Sequence, residues 1–157
     1  MSYDIVVRHV QSLNIMSIRF ITSIERIGQD IPNAYKELHE YISAQKGIMT
    51  GECLAIYHDP GFNPFQIDVE CCFGVSPLLA DREHIKSRVA NGGEMAVLLH
   101  RGPYKTLCNA YDAILQWINE NNYTPLAQMR EHYLNDPAEV APEEIMTEIF
   151  WPVQKNS

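Results

Sequence analysis

The stretch Glu144–Val153, EIMTEIFWPV, decides how this chain is read. It alternates as a strand does: Ile145, Thr147, Ile149 and Trp151 point one way, and Met146, Glu148 and Phe150 the other. Pro152 has no N–H to give a ladder, so the strand is expected to end near it. Glu148 is the residue out of place, a carboxylate between two large apolar neighbours on its own face. Either it reaches water at a sheet edge, or it lies in a largely apolar cavity where it needs a partner or a raised pKa.

Upstream of this strand the pattern changes period twice. Residues 30–45 place Ile31, Ala34, Tyr35, Leu38, Tyr41 and Ile42 at intervals of three and four, which predicts a helix with one apolar stripe, Asp30 as its N-cap and Gly47 beyond its end. A second helix is expected from the turn at 101–104 to about Asn121, with Leu107, Ala110, Tyr111, Ile114, Leu115, Trp117 and Ile118 as its stripe. The remaining apolar runs read as strands near 3–10, 15–21, 52–57, 65–75, 85–89, 94–100 and 129–134. Residues 23–29 and 123–128 read as loops, and His58 as an exposed turn residue.

The order strand, strand, helix, strand, strand occurs twice. Asn33–Ala34–Tyr35 returns as Asn109–Ala110–Tyr111, the same shift carries Tyr57 to Tyr133, and Glu70 matches Glu148 after a slip of two residues. This predicts one domain over 1–157, built from two β-β-α-β-β repeats at about 3–76 and 84–153. The fold class is α+β: two antiparallel sheets, each with one packed helix, related by a pseudo-twofold axis around a central cleft. The helices are expected to cover Ile67, Val69, Cys71 and Phe73 in one repeat and Ile145 and Ile149 in the other. The opposite faces, with Glu70 and Glu148, would then line the cleft together with Tyr57, Tyr133, Phe150 and Met146.

Composition narrows the function classes. Formal net charge is -8 with only 12 Lys and Arg among 157 residues, and these do not cluster, which argues against a direct nucleic-acid surface. No apolar run is long enough for a membrane span, and the N-terminus has no secretory signal, so a cytoplasmic location is expected. Cys53, Cys71, Cys72 and Cys108 make no CxxC pair, and the histidines make no ligand spacing. They read as buried free thiols, with neither metal nor cofactor implied. There is no HExxH, G-x-S-x-G, phosphate-binding loop or dinucleotide fingerprint.

GEMAVLLHRGPY (93–104), AYDAILQWINENNY (110–123), REHYLNDP (130–137) and PEEIMTEIFWPV (142–153), in that order, resemble the GyrI-like small-molecule-binding domain, also the effector-binding part of some AraC-type and MerR-type regulators. NAYKELHEYI, LAIYHDP and IDVECCFGV match it more loosely in the first half. The resemblance implies two duplicated β/α units and a cleft for amphipathic, often cationic, ligands, with a buried glutamate among aromatic rings. Glu148 looks like that glutamate, Tyr57 and Tyr133 like the strand tyrosines, and Tyr104 like the turn tyrosine, unless it only packs the fold. Trp151 either closes a wall of the cleft or sits in the helix-facing core. The resemblance implies a stand-alone binder with no DNA-binding domain. Two alternatives stand beside it. One is a hydrolase of strained, cyclopropane-bearing electrophiles, with Glu148 as general acid/base and Tyr133 orienting water. The other is a protein that acts on a partner such as gyrase or a regulator.

Overall fold

A computed structural model describes residues 3–59, 61 and 63–157. The protein is α+β, with two helices packed on antiparallel sheet: β1 (Ile5–Val10), β2 (Leu13–Thr22), α1 (Ile27–Ala44), β3 (Ile48–Tyr57), β4 (Ile67–Ser76), β5 (Ile85–Ala90), β6 (Gly93–Arg101), α2 (Leu107–Glu120), β7 (Tyr123–Pro125), β8 (Met129–Tyr133) and β9 (Met146–Lys155). The chain divides into two compact units. One is contiguous, Gln11–Gly92; the other is split, joining the residues up to Val10 to Gly93–Ser157.

In the contiguous unit the strand order is β3-β4-β2-β5, antiparallel throughout. The apolar stripe of α1 does what its spacing predicts. Ala34, Leu38, Tyr41 and Ile42 are buried against Met16, Ile18, Cys71, Val75 and Ile85, with Phe73 packed alongside. The helix begins earlier than expected, at Ile27, because the Ile27 N–H bonds back to Ser23 O at 2.8 Å and closes a turn there. Asp30 therefore lies within the first turn and does not cap it. Its carboxylate accepts the Thr22 hydroxyl at 2.6 Å. Pro32 is tolerated because the carbonyl it leaves without a donor belongs to exposed Gly28, where water can serve it. In β3 the register slips between Met49 and Cys53, and Gly51 supplies the left-handed backbone of this bulge at φ +107°.

In the split unit the order is β1-β6-β9-β8, again antiparallel. Leu107, Ala110, Ile114 and Ile118 of α2 bury against Ala96, Leu98, Ile149 and Val153. Leu115, expected in the stripe, is 38 % exposed, since it lies off the buried row of α2. Pro152 does not end its strand: β9 runs on to Lys155. The proline sits where β9 changes neighbour, from β8 at residues 147–150 to β7 at 153–155, so its missing N–H interrupts neither ladder. β7 itself lies in a stretch expected to be a loop.

The chain passes between the units twice, after Val10 and after Gly92. In chain order β1 precedes β2 and β5 precedes β6, yet β1 ladders with β6 and β5 with β2. Each sheet therefore takes its first strand from the other sequence repeat.

Candidate functional site

The register divides the proposed site residues between two sheet faces. In the split unit Glu131 pairs with Ile149 and Tyr133 with Thr147, so these side chains share the face on which α2 packs. His132 pairs with Glu148 and Arg130 with Phe150, on the other face. The contiguous unit repeats the arrangement: Ala55 pairs with Cys71 and Tyr57 with Val69 on the helix-facing side, while Ile56 pairs with Glu70 on the other. The two glutamates and two tyrosines expected together thus stand on opposite faces of their sheets. The alternation along each strand is as expected, but within each unit the glutamate and the tyrosine do not share a face.

Each glutamate meets an arginine from the first strand of its sheet. Arg88 on β5 and Arg8 on β1 occupy matching positions, opposite Ile15 and Met95. Glu70 is 3 % exposed and saturated. It takes a fork from Arg88 (Nε 2.9 Å, Nη2 2.6 Å), the Ser17 hydroxyl at 2.5 Å and His58 Nε2 at 2.8 Å. Burial alone would raise its pKa. The hydrogen bonds of His58, Arg88 and Ser17, with the Arg88 charge, outweigh burial and hold the carboxyl well below the usual range. These bonds engage both of its oxygens, and His58, expected to be exposed, is largely buried as its partner.

Glu148 is looser. Among the described residues its one side-chain bond is to Arg8 Nη2 at 3.4 Å, with side chains 26 % and 51 % exposed. The Ser17 position is taken by Val97 in this unit. Phe150 is buried beside Met95 and Val97, with the His132 ring 4.4 Å away and the Arg8 guanidinium 5.5 Å over it. Met146 is half-buried on this same face.

The helix-facing side of the split unit carries the aromatic rings. Tyr133 donates to Glu131 Oε1 at 2.8 Å, and Glu131 is buried at 6 % exposure. Tyr104, on the turn before α2, meets Tyr133 edge to face at 6.1 Å, and Trp151 meets Tyr111 likewise at 6.4 Å. Trp151 thus takes the helix-facing alternative, its indole N–H on Leu126 O at 3.1 Å. The contiguous unit holds an equivalent pair, Tyr35 and Phe73, at 5.2 Å, but Ala55 stands where the split unit has Glu131. Glu131 was missed in the sequence, and Tyr111, expected on the stripe of the second helix, was not read as a site residue. The signal was present: Glu131 is two residues from Tyr133, hence on its face.

His100 is 2 % exposed. It bridges Tyr3 OH (2.9 Å) and Thr106 Oγ1 (3.0 Å). Burial pushes the Cys53 thiol up to about 11 and Cys71 up to about 12, so both stay protonated. Cys108 is exposed, against expectation, on the outer side of α2. Among the described residues no group of His, Cys, Asp and Glu is arranged to hold a metal ion, and no helix is long and apolar enough to cross a membrane.

Two packed helices on antiparallel sheet, with aromatic pairs on the helix-facing side, fit the fold of a small-molecule effector-binding module. The model of the GyrI-like small molecule binding domain matches residues 3–154, and the chain belongs to that family. No curated protein sequence matches it. Among solved structures, EcmrR in a DNA complex superposes with a TM-score of 0.88 at 28 % identity, over 98 % of this chain and 58 % of that one. This chain therefore spans little more than half of that protein. The EcmrR C-terminal domain alone gives 0.85 at 27 % identity, covering 99 % of both chains. SAV2435, solved bound to tetraphenylphosphonium, shares the fold with a TM-score of 0.62 at 16 % identity, over 98 % of this chain and 94 % of that one.

Proposed function

We propose that the protein binds amphipathic organic cations on the helix-facing side of the split unit, with Glu131 as the counter-charge and Tyr133, Tyr104, Tyr111 and Trp151 as the aromatic walls. The observation that carries this reading is a buried carboxylate, held by a tyrosine hydroxyl, on the helix-facing side of the sheet, where Tyr133 and Trp151 of the strands meet Tyr104 and Tyr111 from the turn and helix above. A cation entering there gains the carboxylate's field in a poorly solvated site, and each ring face adds about 0.5–2 kcal/mol. Rings impose little directional demand, so such a site accepts cations of varied shape. Tyr104 is 42 % exposed and offers an approach from solvent. The lipophilic cation bound by SAV2435 belongs to the ligand class this chemistry selects.

Glu70 serves this reading poorly, because His58, Arg88 and Ser17 already occupy it. Glu148 faces the other side of its sheet, beside Arg8, whose charge repels a cation. Calorimetric titration with tetraphenylphosphonium separates the carboxylates. Glu131→Gln is expected to weaken binding at least tenfold, and Glu148→Gln to change it less than twofold. The reverse pattern would return the site to Glu148.

A further inference from the structure

Thr147 is fully buried, and among the described residues its hydroxyl has no hydrogen-bond partner. Such a group costs about 1–3 kcal/mol against a valine of the same shape, so its retention asks for a reason. The residue lies in the middle strand of three, opposite His100 on β6 and Tyr133 on β8, on the face that carries Glu131. His100 cannot take the bond. The Thr106 hydroxyl donates to Pro103 O at 2.8 Å, so its oxygen accepts from His100 Nε2–H, and His100 Nδ1 accepts from Tyr3 OH. Both ring nitrogens are committed elsewhere.

Resting on the cation site proposed above, we infer that the Thr147 hydroxyl is an acceptor for the ligand, and that the site therefore prefers ammonium ions bearing N–H groups to quaternary ones. A cation drawn to Glu131 arrives on the face where this oxygen lies, within one cross-strand pair of Tyr133. An ammonium with two or three N–H donors reaches the carboxylate and the hydroxyl together. A quaternary cation has no donor and leaves the hydroxyl unpaired, a loss that specificity can be built on.

The test uses a matched pair of fluorescent probes: dansylcadaverine, a primary ammonium, and its N,N,N-trimethyl analogue, titrated into the full chain. Thr147→Val is expected to weaken the primary ammonium about five- to tenfold and to leave the trimethyl analogue within twofold. Thr147→Ser should retain the preference. Because the wild-type hydroxyl has no protein partner, Thr147→Val should melt at the same or a higher temperature, which separates the effect from misfolding. Equal responses of the two probes to Thr147→Val overturn this inference while leaving the Glu131 site standing. Failure of both probes to bind the wild-type protein, or binding that ignores Glu131→Gln, overturns the inference and the site together.

Discussion

Replacing His132 by Ile should make the protein resistant to mild acid. The matching position of the other unit is already Ile56. His132 packs on Phe150, and its Nε2 is buried without a partner among the described residues. Burial, with a smaller contribution from the Arg130 charge, pushes its pKa down from 6.5 to about 4. The unfolded chain takes up this proton near 6.5 and the folded one only near 4. Over that interval the unfolded state binds more protons, and stability falls as pH falls. At about 1.36 kcal/mol per pKa unit, the shift amounts to a loss of about 2.5 kcal/mol between pH 7.5 and pH 4.5. Ile at 132 carries no such proton, loses no hydrogen bond and retains an aliphatic contact with Phe150. The variant should match the wild type within about 1 kcal/mol at pH 7.5 and exceed it by about 2.5 kcal/mol at pH 4.5. Urea unfolding at both pH values gives the double difference. Carboxylates such as Glu70 titrate alike in both proteins and cancel. Parallel loss of stability in the two proteins would refute the assignment of a buried, neutral His132.

The matched arginines should separate sharply in chemical denaturation. Arg88→Ala leaves Glu70 buried without its fork and should cost about 3 kcal/mol, whereas Arg8→Ala should cost less than about 1 kcal/mol. Gly51→Ala meets no atom but must adopt φ +107°, so a thermal melt should show a loss of about 1–2 kcal/mol from backbone strain alone. Gly28→Ala, also in open space but within α1 at an ordinary φ, should instead gain up to about 1 kcal/mol.

The helices and the strand faces were legible because their evidence is periodic. Ala34, Leu38 and Ile42 sit where spacing puts them, and Cys71 and Cys72 go to opposite faces as adjacent strand residues must. The candidate site was harder to read. Spacing alone makes a helix-facing strand residue read as core, but α2 makes its close approaches to β6 and β7. Period-two alternation gives the side of a residue, not how far across the sheet the helix extends. Glu148 drew attention as a carboxylate flanked by Met146 and Phe150. Glu131, between Arg130 and His132, looked like an ordinary polar strand residue, and only the register showed it opposite Ile149. Pro152 likewise looked like a terminator because a sequence does not show where a strand changes neighbours.

The crossed first strands bear on how the chain matures. A ribosome releases residues from the N-terminus, so Gln11–Gly92 has its whole sheet available once Gly92 emerges and can fold as a unit. β1 is made before any of it, but its partner β6 comes only with Gly93–Arg101. Until then Ile5, Val6 and Val7 form an apolar segment with an unsatisfied backbone, the kind of stretch that chaperones and stray strands seize. A segment synthesised before the whole contiguous unit is thus placed only after it.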